Sequence, residues 1–246
     1  MDIKGLRKNW DEFGKTDPLW AVLTFPDKKG KKWDINDFYE TGVKEIEDVI
    51  RHVESHGIHI PRRKALDFGC GVGRLTQALA KYFDEVYGVD IAPSMIELAN
   101  KYNRYGERCK YLLNDTADLK IFPDDFFDFI YTNITLQHMA PRYSKKYIKE
   151  FLRVLAQRGL LIFQLPSHKT SQNIIYYIIP APLRIILKRV YFKLRYPKEP
   201  IMEIYSIRRD DIVRFLGSNN AEVIDIQQNT SAGKNWINLM YCVRKK

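Results

Sequence analysis

The chain has 246 residues, 45% of them apolar, and a formal charge of +10. That length and apolar share suit one domain with elaborations and exclude a chain too small to bury its own core. Its three cysteines (Cys70, Cys109 and Cys242) have neither metal nor disulfide spacing, so the expected setting is a reducing cytoplasm. The N-terminal residues lack the apolar stretch of a signal peptide, and no run reaches the roughly 18 residues that span a bilayer.

Residues 1–60 read as a separate helical cap. Trp10, Trp20, Trp33, Phe38 and Tyr39 crowd this stretch, Asn36–His52 has helical spacing, and the aromatics are read as packing an accessory layer onto a sheet. From Lys64 onward strands and helices alternate. Ala65–Phe68, Val86–Val89, Cys109–Asn114 and Phe127–Thr132 read as strands, with helices over 74–83 and 93–104. A helix over Tyr143–Leu155 is broken at Gly159, and Leu160–Leu165 is the fifth strand. The tail differs: a helix over Arg208–Ser218 precedes strands Ala221–Gln227 and Trp236–Val243, whose short turn makes them antiparallel. The expected fold is α/β and Rossmann-like. It has a seven-stranded, mostly parallel sheet, an antiparallel C-terminal hairpin and helices on both faces. Its parts are the cap (1–60), the core (61–166), an insertion (167–205) and a closing helix and hairpin (206–246).

The segment Ala65-Leu-Asp-Phe-Gly-Cys-Gly-Val-Gly-Arg74 carries the chemistry. A strand ends in three alternate glycines and a helix follows, which makes a nucleotide cradle of backbone N–H groups. The spacing departs from G-x-G-x-x-G, because the third glycine is Gly73 and Arg74 stands where glycine is expected. Asp67 would repel a diphosphate and suits an ammonium group. The next strand ends in Asp90, an acceptor for two ribose hydroxyls. A ribose and an ammonium without a diphosphate describe S-adenosylmethionine.

The segments LDFGCGVGRLTQALA, VYGVDIAPSMIELA, LNDTADL and FDFIYTNITLQHM resemble, in order, the motifs of class I S-adenosylmethionine-dependent methyltransferases. The resemblance implies that Phe68, Gly69 and Gly71 contact the methionine and ribose portion while Asp67 orients the amino group. It implies Asp90 on the ribose, Ile91 and Met95 on the adenine face, and Asp115, Thr116 and Ala117 at the adenine edge. It places Asn133 by the methionine end, and candidate lid residues at Phe38, Tyr39 and Gly42. No Asn-Pro-Pro-Tyr or Pro-Cys pair follows the fourth strand, which argues against adenine, glutamine and cytosine-C5 acceptors. No metal ligand set is expected. His138 is the one histidine near the mouth, and it reads either as a mild base or as a packed residue.

Residues 167–198 hold seven Lys or Arg side chains and no acid (Lys169, Arg184, Lys188, Arg189, Lys193, Arg195, Lys198), so most of the excess charge is local. Leu183, Ile186, Leu187, Val190 and Leu194 share a helical stripe among these cations. Over 183–195 that pattern reads as a helix on an anionic membrane surface, here the inner face, or as a lid with a basic rim. The insertion suggests an anionic acceptor. The expected activity is methyl transfer by in-line displacement to an oxygen or nitrogen of a small molecule or of a glycan or lipid-linked intermediate. The alternatives are an RNA methyltransferase, or a membrane-associated or regulatory protein that binds the cofactor without catalysis.

Overall fold

The computed structural model describes residues 1–170, 180, 183, 186, 187, 190, 191 and 200–246. The cationic residues expected to edge the helix over 183–195 lie outside the described residues. Leu183, Ile186, Leu187 and Val190 are described, helical and about half exposed. No helix among the described residues is long and apolar enough to cross a membrane.

A seven-stranded sheet carries the domain, in the order β3-β2-β1-β4-β5-β7-β6. Its strands are β1 (Lys64–Phe68), β2 (Glu85–Asp90), β3 (Cys109–Leu113), β4 (Phe127–Thr132), β5 (Leu155–Lys169), β6 (Ala221–Asn229) and β7 (Trp236–Lys245). The first five run parallel, and β7 lies antiparallel between β5 and β6. All six residues of β4 are buried, as expected of a central strand covered by helices on both faces. The expected α/β architecture is thus the observed one, including the antiparallel C-terminal pair.

The helices are α1 (Ile3–Thr16), α2 (Pro18–Val22), α3 (Ile35–Ser55), α4 (Arg74–Leu79), α5 (Pro93–Lys101), α6 (Pro141–Val154) and α7 (Arg209–Gly217). Two of them stop earlier than their spacing predicts, α4 at Leu79 and α5 at Lys101. The junction of α6 and β5 also differs. The helix ends at Val154, and Leu155 is already extended and paired with Phe127 rather than continuing to a break at Gly159. The Phe126 N–H takes the Val154 carbonyl at 2.8 Å, so sheet pairing competes successfully for the last turn. The extra residues are absorbed as a bulge against β4 and by Arg158 at φ +63°.

The cap is tied down by polar contacts. The Asp2 carboxylate accepts the Gly5 N–H at the start of α1, and Asp34 accepts the Asn36 and Asp37 N–H groups at the start of α3. Arg7 on α1 pairs with Asp115 at 2.8 Å, and Asp11 accepts the Ser94 N–H at 3.0 Å. Helix α3 lies against α4 so closely that a Cβ on Gly42 would sit 2.6 Å from the Arg74 carbonyl oxygen. Tyr39 donates to the Val72 carbonyl at 2.7 Å. Phe38, Tyr39 and Gly42 therefore brace the glycine turn from behind instead of forming a lid.

On the other face of the sheet, the α6 stripe Tyr147, Ile148, Phe151 and Leu152 is buried. Phe151 is fully buried with its ring centroid 4.9 Å from that of Phe68, the last residue of β1. Phe151→Ala should lower unfolding free energy by about 3–5 kcal/mol, read as a lower urea midpoint at unchanged slope.

Candidate active site

A cleft of about 860 Å³ opens at the C-terminal ends of β1, β2 and β4. This is where an open parallel sheet binds ligands. Its floor includes Phe68, Gly69, Gly71, Asp90 and Ile91, and Leu6, Trp10, Ala21 and Val22 from α1 and α2 form its roof.

The turn after β1 is built by glycine. Gly69 and Gly71 have φ of +77° and +53°, and a Cβ on either would overlap a neighbour: Thr135 at 2.2 Å for Gly69, Val22 at 2.5 Å for Gly71. The β4 loop and the roof helix can approach only because both side chains are missing. The Asp90 carboxylate clamps this turn, accepting the Gly71 N–H and the Ala92 N–H at 2.9 Å each. Desolvation raises the Asp90 pKa, opposed by those same backbone donors.

The structure gathers Phe68, Gly69, Gly71, Asp90, Ile91, Met95, Asn133 and His138 around the cleft. Four expected residues are elsewhere. Asp67 is buried beneath the turn, accepting from the Thr76 hydroxyl at 2.7 Å, and burial pushes its pKa up to about 7. Asp115 and Thr116 are exposed, Asp115 facing Arg7, and Ala117 also stands off the cleft wall. The strand ends one residue earlier than expected, so Asn114 is the residue that lines the cleft after β3. Asn114 is held by the Asp118 carbonyl at 2.8 Å and by the Thr116 hydroxyl at 3.0 Å.

Sequence reasoning also missed Arg74, Trp10, Tyr147 and Glu45. Arg74 is buried, lines the cleft and donates to Glu45 at 2.8 Å, and its Nε has no partner. The departure from G-x-G-x-x-G at this position was the available signal. Glu45 had none, because it lies on α3, ahead of the motifs and 88 positions from Asn133. Its other oxygen accepts from the Tyr131 hydroxyl at 2.8 Å and from Asn133 Nδ2 at 2.7 Å. The buried Asn133 Oδ1 is left without a partner.

The loop after β4 is strained and pinned. Ile134 has φ +57°, an outlier for a β-branched residue. Its N–H donates to Gln164 Oε1 at 3.0 Å, and that bond sets the direction of a chain. Gln164 Nε2 donates to Gln137 Oε1 at 3.0 Å and also to Asn238 Oδ1. Gln137 Nε2 then donates to His138 Nε2 at 3.1 Å, and His138 Nδ1–H donates to the Glu203 carbonyl at 2.6 Å. A backbone donor at one end and a carbonyl at the other fix the imidazole tautomer and engage both ring nitrogens. Burial lowers the His138 pKa to about 4, against the pull of the Glu203 carbonyl.

Beyond this loop lies a second, larger cavity that shares Ala21, Val22, Asn133, Ile134 and His138 with the cleft. Among the described residues its wall carries Glu45 and Asp48 and no Lys or Arg. The cations on which the expectation of an anionic acceptor rests, Lys169 apart, lie outside the described residues.

His138 and Asp67 tilt stability in opposite directions with pH. Below pH 6.5 the unfolded imidazole binds a proton that the folded one refuses, so the His138 contribution is lost as pH falls from 6.5 to about 4. The folded Asp67 keeps a proton that the unfolded carboxyl releases, so its contribution is lost as pH rises from 3.8 through about 7. A difference measurement separates them. Between pH 6.5 and 4, His138→Gln should lose less stability than the parent protein, by on the order of 3 kcal/mol in chemical denaturation.

A family model described as a methyltransferase domain matches residues 66–163. The uncharacterised methyltransferase YcgJ of Bacillus subtilis is 33% identical over 111 residues, 45% of this chain and 42% of that protein. The 2-methyl-6-phytyl-1,4-hydroquinone methyltransferase of Synechocystis is 32% identical over 42% of this chain and 31% of its own length. The malonyl-[acyl-carrier protein] O-methyltransferase of Halorhodospira halophila is 30% identical over 49% of this chain and 40% of its own length. The match thus spans less than half the length of each of these relatives. Among solved structures, magnesium protoporphyrin IX methyltransferase from Synechocystis with bound SAH superposes over 100% of both chains at a TM-score of 0.67 and 17% identity. At that identity the likeness establishes the fold. Strand order, glycine turn and matched family model agree: residues 66–163 match a methyltransferase domain, in a fold shared with solved S-adenosylmethionine-dependent methyltransferases.

Proposed function

We propose that this protein transfers a methyl group from S-adenosylmethionine to an oxygen or nitrogen of a small, largely apolar acceptor bound in the second cavity. The observation that carries this reading is the junction at Asn133, Ile134 and His138, which belong to both cavities. A donor in one and an acceptor in the other meet there.

The residues present fit the cofactor. Asp90 offers carboxylate lone pairs beyond those used by Gly71 and Ala92, suited to ribose hydroxyls. Ile91, Met95 and Leu6 supply apolar surface for a purine. The unpartnered Asn133 Oδ1 suits an ammonium, and the unpartnered Arg74 Nε suits a carboxylate. Bound there, S-adenosylmethionine supplies an electrophilic methyl group on a sulfonium. The protein's own contribution is placement, since holding a nucleophile in line is worth about 7 kcal/mol or more in well-oriented cases.

Within that reading His138 is a positioning residue, because its lone pair is already engaged by Gln137. Glu45 is the carboxylate that faces the acceptor, held in place by Tyr131, Asn133 and Arg74. A wall bearing Glu45 and Asp48 favours an acceptor that is neutral or cationic at its reacting end. The same wall opposes RNA, whose phosphates it would repel.

Incubation with methyl-tritiated S-adenosylmethionine and a fractionated cell extract tests the reading. Label is expected in the small-molecule or solvent-extractable fraction, and label confined to nuclease-sensitive material would overturn it. Asp90→Ala should weaken S-adenosylmethionine binding by about tenfold or more in calorimetry, since ribose hydroxyls would lose their charged acceptor. Unchanged affinity would remove Asp90 from the site.

A further inference from the structure

We propose a divalent transition-metal site of the zinc class at the C-terminal end of α3, with His52, His56 and Asp225 as ligands. One ligand atom from each of these residues lies within 4.8 Å of the other two. His52 Nε2 is 2.9 Å from Asp225 Oδ2. Two ligands on one tetrahedral zinc stand about 3.3 Å apart, given bonds of about 2.0–2.1 Å. The His52–Asp225 edge is therefore already close to binding size, and closure needs a shift of the third ligand, His56. His56 can supply that shift because it is exposed and follows the last residue of α3.

The surroundings give each ring a partner for its second nitrogen. A ligating imidazole anchors its other nitrogen on a carbonyl, carboxylate or amide, which fixes the tautomer. His56 Nδ1 lies 2.9 Å from the His52 carbonyl oxygen and donates to it, leaving the His56 lone pair on Nε2. His52 Nδ1 lies 3.1 Å from the Gln227 carboxamide. The contact is made by the carboxamide nitrogen, so Nδ1 accepts and Nε2–H donates to Asp225 in the metal-free protein; turning the amide over would move the proton to Nδ1 and free the Nε2 lone pair for the ion. The ring centroids are 4.4 Å apart. The position favours a cation as well, since the last carbonyls of a helix carry the negative end of its dipole. Two neutral imidazoles, one carboxylate and a water complete four-coordination.

The site would act as a clamp. It joins the end of α3 to edge strand β6, and His52 stands seven residues, about 10 Å along the helix, from Glu45. A cavity lined by Asp48, Val49, His52, Asp225 and Gln227 lies beside it, and Asp48 and Val49 also line the proposed acceptor cavity. The metal would thus hold the helix that carries Glu45 without touching the cofactor cleft.

Calorimetric titration of the metal-free full chain with Zn(II) at neutral pH tests this, with Co(II) absorption as the second readout. One ion per chain and the intense visible bands of tetrahedral Co(II) are expected, together with a rise in unfolding temperature. His56→Ala changes an exposed residue and leaves the fold intact, yet it should weaken Zn(II) binding at least tenfold. Gln227→Ala should weaken it by about tenfold by freeing the His52 ring. No saturable uptake at millimolar Zn(II), or an affinity unmoved by His56→Ala, would overturn the site. Neither result bears on S-adenosylmethionine binding, measured separately in the same samples.

Discussion

The close approach of three elements to the turn between β1 and α4 is the constraint on which the rest of the site depends. Gly69 admits Thr135 from the loop after β4, and Gly71 admits Val22 from the roof. Asp90 then holds the turn from the end of β2 through the Gly71 N–H. The effect of missing side chains is to bring backbone and neighbours within van der Waals contact, so that floor, loop and roof share one small volume. A methyl group at Gly69 or Gly71 would overlap the Thr135 or Val22 side chain, so that neighbour would have to shift, and the positive φ would strain the backbone as well.

The second organising feature is a buried polar chain. Gln164 on β5, fully buried, holds the strained Ile134 and, through Gln137, the ring of His138. Buried amides are costly unless every group is satisfied, and here each bond fixes the next. The outcome is a rigid partition between two cavities. One has a carboxylate clamp and apolar walls suited to a nucleoside, and the other has Glu45 at its inner end. Asn133, with one buried oxygen unpartnered, stands at the gap.

Much of this was legible along the chain, because it depends on local pattern. The strands emerge from apolar runs bounded by turn residues, and β4 has the bounds its pattern predicts, Phe127–Thr132. Asp90 and the glycines follow from motif spacing and lie where expected. The residues after β3 differ from the motif reading in placement: β3 ends at Leu113, so Asn114 lines the cleft while Asp115 turns outward to Arg7. A one-residue shift reverses which way a side chain points at a strand end, and motif reading cannot resolve it. Asp67 was read as an ammonium ligand, but Thr76 on the following helix holds it beneath the turn. Of the N-terminal helices, α1 and α2 roof the cleft, while Tyr39 on α3 braces the turn.

By itself the amino-acid sequence determined the α/β class, the antiparallel tail, the glycine turn and the carboxylate at the end of β2, because each is encoded by neighbours within about thirty residues. Only the tertiary structure decided which cap helices roof the cleft, that both nitrogens of His138 are engaged, and that Glu45 faces Asn133 across 88 positions of sequence. It also brought Asp225 to His52, 173 residues away. Those pairings follow from where helices settle on the sheet. Packing and buried hydrogen bonds decide that jointly over the whole chain, and no local spacing records it.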